Sequence, residues 1–414
     1  MDIPDQIISR DAYIERIRPF VRKGLIKVLS GQRRVGKSYL LFQLINFIRI
    51  EDPPANIIYI NKEDLQFDTI RDAASLNEHI LSRSKKGVRN YIFIDEIQDI
   101  AEFEKALRSL LLDQNNDLYI TGSNANLLSG ELATYLSGRY IEFKIYSLSY
   151  AEFLHFHQLK DSDTSLESYI RFGGLPYLIH LGLTDTSLEY LNSIYNTIVY
   201  RDVVSRYNLR NSQFLEKLVE FLADNTGSLF SAKRISDFLK SQHTNMPPNQ
   251  IQQYCAHLVS AFIVHEVSRY DLAGRKLFEI GSKFYFENTG IRNVIIGYKL
   301  NDRGKLLENI VYNQLLYLGY DVKVGALHTR EIDFVCERGN ERLYVQVALR
   351  LDGQATIDRE FGNLLAIPDN YPKMVVSEDQ FSGNTYEGVR YMHIRDFLLT
   401  GNGGAVIELA GQAG

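Results

Sequence analysis

Over the first third of the chain, two hydrophobic patterns alternate. Short runs rich in Ile, Val, Leu, Phe and Tyr read as strands: LIKVLS (25–30), NIIYI (56–60), YIFID (91–95), LYIT (118–121) and IEFKI (141–145). Between them, segments of helical period begin at Lys37, Thr69, Glu102 and Asn124. Strands apolar on both faces and joined by helical crossovers predict a parallel sheet covered on both sides, an α/β domain over residues 1–146.

The pattern then turns helical over 147–208, broken by the turn FGGLP at 172–176. Three helix-length segments follow at 212–223, 232–240 and 249–262, with the loop QHTNMPP between the last two. The strand-like runs FIVHEVSRY and RKLFEIGSKFYFEN come next. Three helices and a β-hairpin predict a winged helix over 209–296. A helix at 305–319 and strands at 331–336 and 342–349 form a last α/β segment, 297–414.

Composition narrows this picture. At about 100–200 residues per domain, 414 residues make two to four domains. A 45% hydrophobic content excludes a mainly disordered chain, and 28 Gly with 9 Pro exclude a collagen-like one. A net charge of -5 and a pI near 6.0 argue against a globally basic nucleic-acid coat. Cys255 and Cys336 suffice for one bridge at most, neither a disulfide framework nor a zinc cluster. The first residues are charged and amphipathic, without the apolar core of a signal peptide, and no apolar run approaches 18 residues. A soluble, cytoplasmic protein with no membrane contact is expected.

Chemistry enters at the first strand end. Gly31-Gln32-Arg33-Arg34-Val35-Gly36-Lys37-Ser38 fits G-x-x-x-x-G-K-[ST] and lies between a strand and a helix. Glycines let such a loop curl until its N–H groups converge on phosphate oxygens, and the helix N-terminus adds partial positive charge. With Tyr39 these residues are the expected phosphate-binding set, Lys37 reaching the β- and γ-phosphates and Ser38 binding Mg²⁺. The strand YIFID ends in Asp95 and Glu96. Beside a P-loop, Asp95 is expected to hold Mg²⁺ through water and Glu96 to polarise the attacking water. LYIT runs into Gly122-Ser123-Asn124, where Ser123 or Asn124 would sense the γ-phosphate or cap a helix. Arg139 in SGRY would complete a neighbouring subunit's site or lie solvated at the surface. Asn61-Lys62-Glu63-Asp64 spells the guanine-reading N-x-x-D, but it precedes the acid-bearing strand, so it is read as a turn and ATP as the nucleotide.

With these residues placed, the chain resembles a prokaryotic AAA+ ATPase family in which the ATPase is followed by a C-terminal domain of unknown function. The resemblance rests on GQRRVGKSYL, FIDEIQDI, ITGSNANLLSGELATYLSGRY, LSYAEFL, FGGLPYLI, VYRDVVSRYN, GKLLENIVYNQLL and EIDFV. It implies ATP binding and hydrolysis, Arg139 at the position of an arginine finger, and homo-oligomers. The expected fold class is multidomain α/β: a P-loop AAA+ parallel sheet, a helical lid or linker, a winged-helix-like domain and a restriction-endonuclease-like domain.

The reader helix of the winged segment offers Asn249, Gln250, Gln252 and Gln253 but no Lys or Arg. Lys233, Arg234 and Lys240 flank it, and Arg269, Arg275 and Lys276 sit near the wing. Packing between domains is favoured there over DNA contact. The last segment looks like a nuclease core with Glu308 on its helix and Asp333 on its first strand. The next strand carries Gln346 and Ala348 where an acid and a lysine are expected, so nuclease activity is not. The leading expectation is an Mg²⁺-dependent ATPase that moves or assembles its C-terminal domains, with a protein partner the sequence does not name. The alternatives are a nucleotide switch on a protein or DNA partner with little turnover, and an ATP-regulated nuclease.

Overall fold

The computed structural model of the chain describes residues 4, 6–125, 136, 138–274, 281–381 and 383–401. The chain divides into two compact units, Met1–Tyr146 with Ser260–Phe262, and Ser147–Val259 with Ile263–Gly414.

In the first unit five parallel strands, β1 (Ile26–Ser30), β2 (Asn56–Asn61), β3 (Asn90–Asp95), β4 (Asn116–Gly122) and β5 (Tyr140–Lys144), form one sheet in the order β2-β3-β4-β1-β5. Helices α1 (Asp11–Ile17), α2 (Lys37–Glu51), α3 (Ala73–Arg83) and α4 (Phe103–Leu110) accompany them. Every residue of β1, β3 and β4 is buried, the polar ones included, Lys27 of β1 pairing with Asp117 of β4. Ile26, Val28, Ile92, Ile94, Leu118 and Ile120 pack with Leu76, Ile80 and Leu107 in the core. Because the strands are parallel, their carboxyl ends share one edge of the sheet. The P-loop follows β1, the acid pair closes β3 and Gly122-Ser123 closes β4, and β4 lies between the other two. This is the edge at which open α/β sheets bind ligands.

The helix expected from Thr69 starts later, at Ala73, because Asp72 accepts the Ser75 N–H and makes a capping box with it. The stretch before it is held by Lys62, whose Nζ donates to the carbonyls of Phe67 (2.7 Å) and Ile70 (2.8 Å). The N-x-x-D lysine thus braces a loop. The helix expected from Asn124 falls largely on 126–135, outside the described residues.

The second unit begins with α5 (Tyr150–His157), α6 (Asp163–Phe172), α7 (Asp185–Thr197), α8 (Ser212–Asp224), α9 (Ala232–Ser241) and α10 (Pro248–Ser260). Its sheet is mixed and built from β6 (Leu229–Phe230), β7 (Val264–Asp271), β8 (Ser282–Phe286), β9 (Asp321–Leu327), β10 (Arg330–Arg338), β11 (Glu341–Ala348), β12 (Lys373–Ser377), β13 (Thr385–Tyr386) and β14 (Val389–His393). Helices α11 (Thr289–Ile296), α12 (Arg303–Tyr317), α13 (Gln354–Leu365) and α14 (Ile394–Leu398) complete it. The strand order is β13-β14-β12-β11-β10-β9-β7-β8-β6. The hairpin β7–β8 and the strands after residue 300 belong to one sheet, since β7 runs parallel to β9 through Arg269–Val324, Tyr270–Gly325 and Asp271–Ala326. Among the described residues no helix is long and apolar enough to cross a membrane.

Candidate nucleotide site

The loop after β1 is shaped by two glycines. At Gly31 φ is +152° and a Cβ would stand 2.1 Å from the Ile145 carbonyl oxygen, so no side chain fits. Gly36 caps α2 with φ 97°, a left-handed geometry that glycine adopts without steric cost. Inside the curl, the buried Lys37 Nζ donates to the carbonyls of Gly31 and Gln32, both at 2.9 Å. Gln32, Arg33 and Val35 are buried, Arg34 is exposed at φ 70°, and Tyr39 lies half exposed on the first turn of α2. Arg33 turns to Glu63, Nη1 to Oε1 3.4 Å.

Two strands away, β3 delivers Asp95 and Glu96. Asp95 is buried; its Oδ1 accepts the Thr121 hydroxyl, and its Oδ2 lies 3.4 Å from the Tyr59 hydroxyl. Burial pushes the Asp95 carboxyl above the usual aspartate range, and hydrogen bonds from Ser38 and Thr121 oppose that shift. Ser38, at the α2 N-terminus, thus lies close enough to the β3 end to act on the Asp95 carboxyl. Glu96 stands next to it in a left-handed conformation, φ 54° and ψ 54°. Its Oε2 accepts from Gln98 Nε2 and, at 3.3 Å, from Ser123 Oγ. Burial raises the Glu96 pKa, but the charge of Lys37, the Gln98 bond, Arg33 and Ser123 outweigh it and leave the carboxyl below the ordinary glutamate range. The two acids are therefore pushed in opposite directions, the pattern of neighbouring groups with different tasks.

The structure thus brings together Lys37, Ser38, Asp95, Glu96 and Ser123. Asn124 follows half-buried. Arg139 is elsewhere. It is exposed just before β5, where its carbonyl accepts the Ile26 N–H at 2.9 Å. That is the amino end of β1, about 15 Å along the strand from the P-loop at roughly 3.3 Å per residue. Sequence reasoning missed Thr121 and Tyr59, which matter only once β2, β3 and β4 are known to be neighbours, and Gln98, which reaches Glu96 from two residues further along the same turn.

A family model described as an AAA domain matches residues 23–154, and one described as a domain of unknown function (DUF8612) matches residues 163–302. An uncharacterized protein of Haemophilus influenzae is 36% identical over 402 residues, covering 95% of this chain and 99% of that one. The chain belongs to one family with that protein, a family that carries an AAA domain. An uncharacterized protein of Methanocaldococcus jannaschii is 31% identical over 363 residues, covering 84% of this chain and 78% of its own. Among solved structures, the Walker-type ATPase of Pyrococcus abyssi aligns at a TM-score of 0.48 and 15% identity, covering 70% of this chain and 96% of that one. In this AAA protein the P-loop and the acid pair both fall within the matched domain.

A second polar cluster lies in the C-terminal segment. Lys283 on β8 is buried, with Nζ 3.0 Å from Glu308 Oε1 on α12 and 2.8 Å from Glu331 Oε1 on β10. Tyr285 donates to Glu308 Oε1 at 2.6 Å. Asp333 Oδ2 accepts the Val347 N–H at 2.8 Å, and Gln346 Oε1 lies 3.3 Å from the Asp333 nitrogen. Burial draws the Lys283 ammonium down, but Glu308, Asp333 and Glu331 outweigh it and hold the pKa above the usual lysine range. β11 carries Gln346 and Ala348 as the sequence has it, while a lysine enters the cluster from β8 instead. Among the described residues no group of three or more His, Cys, Asp or Glu is placed to hold a metal ion.

On α9 and α10, Lys233, Arg234, Lys240, Asn249, Gln252 and Gln253 are exposed, Gln250 is half-buried, and Lys233 pairs with Asp237 at 3.0 Å. Arg269 on β7 is half-buried; Arg275 and Lys276 lie outside the described residues.

Proposed function

We propose that this AAA protein is an Mg²⁺-dependent ATP hydrolase whose nucleotide cycle moves or assembles the segments after residue 146. The observation that carries this reading is the convergence of Lys37, Ser38, Asp95, Glu96 and Ser123 at the carboxyl edge of one parallel sheet. The loop N–H groups and the start of α2 bind the phosphates. The Lys37 ammonium exchanges its loop carbonyls for phosphate oxygens, a stronger, charge-assisted pairing. Ser38 and Asp95 offer hard oxygen donors at neighbouring ends of α2 and β3, the ligand chemistry that suits Mg²⁺. The metal supplies charge neutralisation on the phosphates. Glu96, kept ionised by Lys37 and Arg33, orients a water and takes its proton, while the Ser123 hydroxyl fixes the carboxylate that does so.

Arg139 is proposed to act on the site of a neighbouring copy, because its own P-loop lies at the other end of β1. The segments 147–208, 209–296 and 297–414 are proposed as lid, winged-helix-like module and retained nuclease-like core. Glu308 and Asp333 in that core, with Lys283 reaching them from β8, serve packing rather than cleavage.

Calorimetry with ATP and Mg²⁺ tests the assignment. Lys37→Ala is expected to lose ATP binding at least about tenfold, since it removes the cation inside the phosphate cradle. Glu96→Gln is expected to bind within about twofold of wild type, because the amide keeps the shape and loses only the proton acceptor. Equal loss of binding in the two variants would contradict the roles given to them.

A further inference from the structure

Glu96 is an L-residue in the left-handed region, with φ 54°. Such a conformation crowds Cβ against the backbone and persists only where the surroundings hold it. Among the described contacts, its main chain is held by one side chain. The Glu96 N–H donates to Thr121 Oγ1 at 3.0 Å, and the same hydroxyl donates to Asp95 Oδ1. A threonine hydroxyl has one proton and two lone pairs. Here the proton goes to one acid and a lone pair to the backbone of the other.

The strand register explains why position 121 can do this. β3 pairs with β4 up to Ile94–Ile120, and the main chain of Thr121 then pairs with Leu29 of β1. Beyond Ile94 the β3–β4 ladder has no further backbone pair, and β3 turns. The Thr121 side chain takes over the ladder's work for one residue, receiving the N–H of Glu96 just where the chain leaves the sheet. Thr121 has no exposed surface, and a β-branched side chain in a strand has few rotamers to choose from. The hydroxyl is therefore a fixed point between the two acids.

We propose that Thr121 is a positioning residue for ATP hydrolysis: its hydroxyl locks the left-handed turn at Glu96 and the orientation of Asp95, and so sets the direction from which Glu96 addresses the attacking water. The inference rests on the role proposed for Glu96. It assigns Thr121 no contact with nucleotide. Its loss is accordingly read in turnover and not in ATP affinity, since a misplacement of about 1 Å in a reacting group costs on the order of 10²-fold in rate.

The test uses the full chain with Thr121→Val, which keeps the branched shape, Thr121→Ala, which cannot overpack, and Thr121→Ser, which keeps the hydroxyl. Thr121→Val and Thr121→Ala are expected to lower kcat by about 10–100-fold with ATP affinity, measured by calorimetry, within about twofold of wild type. Thr121→Ser is expected to recover most of the rate. In protein without nucleotide or metal, hydrogen exchange at the Glu96 amide is expected to speed up in Thr121→Val and to stay near wild type in Thr121→Ser. A wild-type kcat in both hydroxyl-free variants, or a serine variant as slow as valine, would overturn the proposal. So would ATP affinity falling in step with kcat, which is the mark of a damaged fold. Glu96→Gln run alongside separates the two levels. If that variant turns over normally, the role of Glu96 fails and Thr121 falls with it; if it is inactive while Thr121→Val is fast, only the Thr121 inference fails.

Discussion

Burial decides how each charged residue of this protein behaves. Lys27 and Asp117 pair at 2.5 Å with almost no exposure, and Arg292 is fully buried with Nη2 2.6 Å from Asp302 Oδ2. Breaking such a pair leaves an uncompensated charge in the interior, which typically costs about 3–5 kcal/mol. Asp302→Asn should therefore destabilise the chain by about that amount in denaturant unfolding at neutral pH. Burial alone would raise the Asp302 pKa, but the hydrogen bond and charge of Arg292, with Lys305 and Lys299, bring it below its ordinary value. A folded-state pKa depressed in this way gives stability that is complete above the unfolded value of about 3.9 and disappears as pH falls through the folded one. The gap between wild type and Asp302→Asn should accordingly be constant from about pH 5 upward and shrink below about pH 4. A gap that stays constant into strong acid would show that the pair does not carry the stability assigned to it.

Among elements, legibility followed locality. β1, β3 and β4 were readable because each holds a largely apolar run, Lys37 because it closes a G-x-x-x-x-G-K-[ST] loop, and Asp95 and Glu96 because they end one of those runs. The strands β9, β12, β13 and β14 and the helices α11 and α13 were not placed from sequence, since short segments of mixed polarity take their structure from the sheet they join. Thr121 and Lys283 were missed for a related reason: nothing in LYIT or KFYF says which acids the neighbouring elements bring. Lys283 changes the reading of the C-terminal core, because an ammonium already lies between Glu308 and Glu331. Neither Mg²⁺ nor Mn²⁺ should support cleavage of single- or double-stranded DNA by this protein. Metal-dependent cleavage that disappears in Asp333→Ala and survives Lys37→Ala would make the core a nuclease.

At the scale of the whole molecule, kinship with the Haemophilus influenzae protein spans 95% of the chain, so it takes in the AAA domain and the segments after it together. That continuity supports the proposal that nucleotide chemistry at one sheet edge serves the segments beyond residue 146. Arg139 gives the proposal an assembly consequence. Arg139→Ala should bind ATP but hydrolyse it poorly, by up to about 10³–10⁵-fold if it acts as a finger. Mixing it with Lys37→Ala protein should restore part of the rate through hybrid interfaces, whereas a monomer that hydrolyses normally without Arg139 would refute action between copies. The proposed hydrolysis depends on Glu96 as the group that prepares the water. The most direct measurement is steady-state ATP turnover at saturating Mg²⁺ and ATP, wild type beside Glu96→Gln. A measurable wild-type rate that falls by about 10²–10⁴-fold in Glu96→Gln, with ATP still bound, is the predicted result; a wild type that binds ATP without turning it over, or a Glu96→Gln variant as fast as wild type, would contradict it.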